Sequence, residues 1–322
     1  MKAVVAMSYG GPEVFSIQEV VQPIPKPNEV LVKVKASDVS RAGAMMRTGK
    51  PYFGRLFMGL TKPKNAIPGT GFAGEIVGLG SQATKYKVGD RVFGENITSF
   101  GTNAEFVCVA EDGVLAILPD KMTFEEGAPL CDGALTSMNF LKLIGNIKPG
   151  MKVLINGASG GLGTAAVQLA KYYGAHVTAV CSTNNVELVR NLGADVVIDY
   201  TKQDFTETFQ VFGIIYDTVG KSSFSKCKHS LTKNGIYMSP VLGMSLLCDV
   251  LFSSIFGKKK AKFSATGVLP VPKLREMLHE LTEIIEMGYL SSVIDKSYPL
   301  HHIQAAHQYV DKGHKRGSLV LV

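Results

Sequence analysis

Hydrophobic and polar positions fall into two textures along the chain. In the middle, short unbroken apolar runs alternate with helical periods. Val153, Leu154 and Ile155 form a run without alternation, the pattern of a parallel strand covered on both faces. Residues 164–173 (TAAVQLAKYY) read as a helix: Ala165, Leu169 and Tyr173 recur at helical spacing, and Gly174 supplies a stop. AHVTAVCST (175–183), DVVIDY (195–200), GIIYDTVG (213–220) and GIYMSPV (235–241) read as further strands, with a helix at NVELVRNLGA (185–194). Strands alternating with helices imply an α/β fold with a doubly wound parallel sheet.

The N-terminal texture differs. EVLVKVKAS (29–37), GFAGEIVGLG (71–80), GDRVFG (89–94) and AEFVCVAEDGVLAILP (104–119) are short strands between Gly, Pro and Asp turns, which predicts a β-rich domain of about 120 residues. Near the other end, 271–288 predicts a helix whose Leu274, Met277, Leu278, Leu281, Ile284 and Ile285 share one face. The last strand, GSLVLV (317–322), has no partner in the doubly wound sheet and is expected to return to the first domain. The expected division is 1–122, 123–264 and 265–322, the last part completing the first.

The strand at 153–155 runs into Asn156-Gly157-Ala158-Ser159-Gly160-Gly161-Leu162-Gly163. Ala158-x-Gly160-x-x-Gly163 is the dinucleotide fingerprint with alanine at its first place. Gly160 lets the backbone approach a pyrophosphate, and Gly163 lets helix and strand pack closely. Free N–H groups and the positive helix end suit a phosphate. An NAD site usually carries an acidic residue at the end of the second strand, about 20 residues beyond the glycines. That place reads Cys181-Ser182-Thr183-Asn184-Asn185, and no carboxylate follows before Glu187. Small hydroxyl and amide groups such as Ser182 leave room for a 2′-phosphate, which favours NADPH, although the loop holds no Arg or Lys. Tyr200 is either a contact for the phosphate or adenosine, or a strand-end aromatic packed on a loop.

Composition narrows the class. With 322 residues, 46% hydrophobic and 19% charged, the chain fits a two-domain globular enzyme. Five scattered cysteines without CxxC argue against a disulfide framework or a zinc cluster and for buried free thiols. The net charge of +7 suits an anionic cofactor, and no basic repeat with interleaved aromatics points to nucleic acid. MSLLCDVLFSSIFG (244–257) is too short for a membrane span and contains Asp249. KKKAK (258–262) follows it. The pair reads as a helix covering a substrate pocket or a subunit contact with a solvated lysine turn, in preference to a membrane-surface element. The first residues read as a strand rather than a signal peptide, so the expected location is cytoplasmic. His279, His301, His302, His307 and His314 are expected at the surface or at helix caps.

The order PGTGFAGEIVGLG, KVGDRVFG, GNIKPGMKVLINGASGGLGTAAVQLAKYYGA, LGADVVIDY, YDTVG and GHKRGSLVLV resembles the medium-chain dehydrogenase/reductase superfamily over nearly the whole chain. Within it the chain is similar to the zinc-independent quinone oxidoreductase branch, zeta-crystallin-like and reticulon-4-interacting-protein-1-like. The resemblance implies a GroES-like catalytic domain made from both chain ends, a Rossmann domain between them, bound NADPH and a homodimer. Thr136, ending CDGALT, matches a family threonine that touches the nicotinamide.

Zinc-dependent members carry ligands where this chain has Ser40 (near Asp38), Gly69-Thr70-Gly71, and Asp132 beside Cys131. One oxygen ligand without imidazole or thiolate holds zinc poorly. The four-cysteine lobe is also missing, since ENITSFGTNAEFVCV follows DRVFG directly; no metal is expected at either place. The implied reaction is hydride transfer from NADPH to a quinone or an α,β-unsaturated carbonyl. Two departures stand out: Gly71 where the branch has Asp in PGxDxAG, and Asp38 where it often has Asn. Asp38 is a hydrogen-bonding group or proton source, or a turn residue. Tyr52 lies in a loop that covers the nicotinamide in the family, where its phenol could donate to a carbonyl. Two alternatives remain beside the reductase. One is an NADPH-binding sensor or scaffold with little turnover. The other is a trans-2-enoyl thioester reductase with 244–257 lining an acyl groove.

Overall fold

The computed structural model describes residues 1–207, 209 and 211–322, residues 53 and 57 by their backbone alone. They form two compact units. The first contains Met1–Asp132, Pro270–Glu286 and Ser291–Val322; the second contains Gly133–Leu269 and Met287–Leu290. The divisions fall later than 122 and 264, for reasons visible in the hydrogen bonds. Residues 124–127 belong with the first unit because Ser292 Oγ donates to the Glu126 carbonyl. Residues 264–266 are tied to the second by Asn139 Nδ2, which donates to both Ser264 Oγ and Thr266 Oγ1 at 3.0 Å.

The first unit opens with β1 (Lys2–Ala6) and β2 (Phe15–Glu19), an antiparallel pair. Then come β3 (Glu29–Asp38), β4 (Gly71–Leu79), β5 (Arg91–Glu95), β6 (Phe106–Ala110) and β7 (Val114–Ile117). The segment 104–119 breaks into β6 and β7 at a Glu111-Asp112 turn, closed by Gly113 N–H donating to the Ala110 carbonyl. Between β3 and β4 lie α1 (Arg41–Thr48) and α2 (Arg55–Met58). Ser40 caps α1 by accepting from Gly43 N–H at 3.2 Å. α3 (Phe124–Gly127) starts with a reciprocal Thr123–Glu126 capping box.

The second unit opens with a helical stretch containing α4 (Thr136–Met138). β8 (Lys152–Asn156), α5 (Gly161–Tyr172), β9 (His176–Cys181), α6 (Val186–Asn191), β10 (Val196–Asp199), β11 (Phe212–Asp217), α7 (Phe224–Cys227), β12 (Leu231–Ser239), α8 (Met244–Ile255) and β13 (Lys260–Phe263) follow. Its sheet runs β10-β9-β8-β11-β12-β13, every pair parallel. This is the doubly wound order, and it places the switch point at the carboxyl ends of β8 and β11. α5 begins at Gly161 rather than at residue 164, because Gly160 already holds the extended backbone of an N-cap. Only Lys258 and Lys259 of the lysine run lie in a bend, and the remainder does not stay a solvated turn. It enters edge strand β13, where Ala261 is buried in the core with Leu246 and Tyr237.

The chain then returns to the first unit with α9 (Val271–Glu286), β14 (Ile294–Tyr298), α10 (Ile303–Lys312) and β15 (Ser318–Leu321). All six apolar α9 positions named from the periodicity are buried. The larger sheet runs β14-β15-β3-β4-β5-β7, with β6 also on β3. β15 is therefore the returning strand, parallel to β14 and antiparallel to β3 with Val320 opposite Asp38. One histidine departs from expectation. His307 is buried on the inner side of α10, its ring 4.8 Å from that of Phe15. Burial pushes its pKa down to about 4, helped by Arg47 and opposed by Asp311.

Candidate functional site

In the second unit, β8 ends at Asn156 and Gly157 turns the chain with φ +78°, where a side chain would be strained. The turn is held by Gly157 and Ala158 N–H groups donating to the Val180 carbonyl at 3.1 and 3.0 Å. The glycines within it differ in their surroundings. A Cβ on Gly163 would overlap the Gly157 carbonyl oxygen and stand 2.6 Å from Ala158 Cα, so Gly163 is needed for strand and helix to touch. A Cβ on Gly160 would meet only Gly157 O, at 3.6 Å. Nothing within this chain demands glycine there; the space it leaves is a cradle that a ligand can enter. Gly160 gives α5 no side-chain cap, so the first-turn N–H groups from Gly161, Leu162 and Gly163 have no partner inside the helix. These features fit a pyrophosphate.

Thr136 is half-buried beside this turn. Its neighbour Ser137 donates to Leu162 O at 2.9 Å, and a Cβ on Gly133 would stand 3.0 Å from Gly161 O, so the helix bearing Thr136 packs on the start of α5. At the end of β9, Ser182 Oγ accepts from Asn185 Nδ2 at 3.1 Å. Tyr200 is exposed, its N–H bonded to Cys181 O.

Three features here were not read from the sequence. Asp199 ends β10 directly opposite Cys181 in the sheet. The hydroxyls of Thr183 and Thr201 donate to its two oxygens and hold its carboxyl down at about 2. A carboxylate thus stands at the end of the neighbouring strand, level with the place where the β9 end has none. Lys202 stands 3.6 Å from Asp199, bringing the cation that the loop lacks. Asp217, fully buried at the end of β11, accepts from Asn156 Nδ2, Tyr237 OH and the N–H groups of Val219, Gly220 and Ser222, at 2.9–3.2 Å. It fixes both sides of the switch point.

The first unit carries an acidic cluster at the ends of β3, β4 and β5. Asp38 is buried, and its carboxyl is pushed well up by burial and then by Asp132, while Lys315 and Ser40 favour its ionised form. Glu95 is half-buried and raised to about 7 by burial and Asp132, against a hydrogen bond from Thr70. Asp132 is raised by burial and offset by Lys315. Lys315 is lowered by burial and supported by Asp38 and Asp132, and its ammonium donates to Gly317 O at 2.7 Å. The Cys131 thiol is pushed far up by burial and these carboxylates. Gly71 belongs to the same cluster: a Cβ there would come 3.1 Å from Asp38 Cβ. The two departures read from the sequence, Gly71 and Asp38, thus lie side by side on neighbouring strands.

A lysine among the carboxylates, with no imidazole, does not fit a zinc ion. Among the described residues no three His, Cys, Asp or Glu side chains group as metal ligands. Tyr52 opens a short helical turn and is two-thirds exposed, with the Arg55 guanidinium 4.9 Å over its ring.

The profile described as "Alcohol dehydrogenase GroES-like domain" matches residues 26–120, and that described as "Zinc-binding dehydrogenase" matches 192–321. The spinach (Spinacia oleracea) protein named "Quinone-oxidoreductase homolog, chloroplastic" is 30% identical over 97% of this chain and 95% of its own length. The Arabidopsis thaliana "NADPH-dependent alkenal/one oxidoreductase, chloroplastic" is 30% identical over 100% of this chain and 79% of its own. The solved Escherichia coli quinone oxidoreductase complexed with NADPH superposes with a TM-score of 0.85 at 26% identity, covering 100% of each chain. The chain belongs to the medium-chain dehydrogenase/reductase superfamily, among its quinone oxidoreductase-like members.

Proposed function

We propose that the protein is an NADPH-dependent oxidoreductase that reduces quinones and α,β-unsaturated carbonyls. The observation that carries this reading is the open cradle at Gly160 over an uncapped α5, on a chain whose relatives bear quinone and alkenal/one oxidoreductase names. When bound, NADPH supplies the hydride. Gly160, Gly161, Leu162 and Gly163, with Ala158 and Ser159 shaping the turn, would hold its pyrophosphate. Ser182, Tyr200 and Lys202 would take the adenosine 2′-phosphate, and Thr136 the nicotinamide side. The low pKa of Asp199 keeps a negative charge near that ribose, so the 2′-phosphate preference rests on Lys202 and Tyr200 outweighing it.

Asp38, whose hold on a proton is strengthened by burial and then by Asp132, is proposed as a proton holder for the reduced oxygen, and Tyr52 as a donor to the substrate carbonyl. Burial and Asp132 set the raised proton affinity of Asp38, and Lys315 opposes them. The chemistry is proposed to be zinc-independent, since Lys315 supplies the positive charge among these carboxylates. A homodimer is proposed from the resemblance. Five free thiols suit a reducing compartment, which supports the cytoplasm.

The test is oxidation of NADPH, followed at its nicotinamide absorbance, with 9,10-phenanthrenequinone, 1,4-benzoquinone, an enone and a crotonyl thioester. NADH and EDTA run in parallel. EDTA-insensitive turnover of quinone or enone with NADPH preferred supports the reading. Thioester turnover alone moves it to an enoyl reductase. NADPH binding without turnover moves it to a sensor or scaffold.

A further inference from the structure

α8 has two apolar faces, and only one is used by the core. Leu246 packs inside with Phe224, Tyr237 and Ala261, with Val250 against them. The other face carries Met244, Leu247, Leu251, Phe252 and Ile255, and Phe256 follows at the C-cap; they are 40–77% exposed. Spacings of three and four put the helix residues on one outer stripe. A stripe of this kind is large for a surface with no partner.

Charge at the end of the stripe is one-sided. Between residues 218 and 269 the chain has eight lysines and a single acid, Asp249, an excess as large as that of the entire protein. Several of these lysines gather at the C-terminal end of α8. Lys260 Nζ donates to the carbonyls of Ser253 and Ser254, and Lys259 Nζ donates to Lys228 O, which draws Lys228 to the same place. Lys258 and Lys262 are exposed, and Lys259 is half-buried.

We propose that the outer face of α8 and the lysines that follow it form a docking surface for an anionic lipid bilayer. The other occupants fit less well. A second copy would bring the same lysines against these, and like charges repel. A nucleic acid would use the lysines and leave the aliphatic stripe in water. A bilayer surface offers both complements at once: acyl chains at shallow depth for the stripe and anionic headgroups for the lysines. α8 has 12 residues and cannot cross a hydrocarbon core of about 30 Å, and no described helix is long and apolar enough to do so. It would lie in the plane of the interface, held by its inner face to the protein. The proposal is independent of the hydride reaction.

The chain contains no tryptophan, so F252W creates a single reporter on the stripe. With phosphatidylcholine vesicles containing phosphatidylserine, its emission should move to the blue. Brominated acyl chains should quench it, and 0.5 M salt should reverse the effect. Pure phosphatidylcholine should give much less. K258Q/K259Q should weaken partition about thirtyfold, from roughly 1 kcal/mol per lysine near an anionic surface. Co-sedimentation of the unaltered protein with the same vesicles provides a reading free of substitution, and melting curves verify that each variant is folded. Absence of vesicle binding by both methods overturns the proposal. So does binding that K258Q/K259Q leaves unchanged. An oligomer that falls apart in I255S, without lipid binding, assigns the stripe to a second copy and overturns it as well.

Discussion

Gly71 and Asp38 stand so close that a Cβ on the glycine would lie 3.1 Å from Asp38 Cβ and 2.7 Å from the Ala128 carbonyl oxygen. A backbone carbonyl cannot move aside as a side-chain end can. G71D should therefore lower stability by about 2–4 kcal/mol, from overpacking and from a further carboxylate in the cluster. In G71D/D38A part of the loss should return, giving a coupling of about 1 kcal/mol or more in denaturant unfolding. Strict additivity would mean that the two sites do not compete for one space.

Glu95 makes stability depend on pH. Its folded pKa of about 7 lies above its unfolded value near 4.5. The protonated form is thus favoured by folding, a contribution fully present below about pH 4.5 and lost as pH rises through 7. The span is about 3 kcal/mol. E95Q should flatten that part of the profile, read as the difference between parent and variant unfolding at pH 5 and pH 8. An unchanged difference would show that Glu95 ionises normally.

His307 works in the opposite direction. Its folded pKa of about 4 lies below the ordinary 6.5, so its contribution is present above pH 6.5 and is lost as pH falls toward 4. H307Q should make the protein less sensitive to acid in that window, though less stable at neutral pH. A parallel acid-unfolding curve for parent and variant would contradict this.

The glycine turn separates packing from binding. G160A should fold as the parent does, because its methyl meets no atom closer than 3.6 Å, yet it should weaken NADPH at least tenfold. G163A should destabilise by about 2 kcal/mol or more, since the methyl overlaps backbone. Thermal shift with and without NADPH distinguishes the two. Equal NADPH affinity in G160A and parent would remove the cradle from the site.

Lys202 should carry much of the preference for NADPH. K202A is expected to raise KM for NADPH about tenfold, the size of one charge-assisted hydrogen bond, and to leave KM for NADH nearly unchanged. Equal effects on both would mean that Lys202 acts only on Asp199.

Much of the fold could be read from local patterns. The unbroken run at 153–155, the periodicity of α9 and the partnerless strand at 317–322 each have one physical solution, and the strand indeed joins β3 and β14. Features requiring contact between distant segments were not legible. Asp199 reaches the β9 end because β10 lies beside β9, and Lys315 reaches Asp38 across more than half the chain; neither shows in spacing. His307 lies on a helix of mixed residues, and its burial follows from what packs on α10. β13 was hidden because it has only four residues, with two apolar positions, Ala261 and Phe263, and a lysine run leads into it.

The position of β15 between β14 and β3 has a bearing on synthesis. A ribosome delivers β1 through β7 first and then all of residues 133–269 before the closing strands exist. At about 5–20 residues per second, the end of β3 at Ser37 and Asp38 waits roughly fifteen to fifty-five seconds without its neighbour. For that interval the newborn chain displays an open strand edge, the kind of surface to which chaperones and stray strands bind. That edge closes only when β15 arrives from the far end of the first unit's sequence.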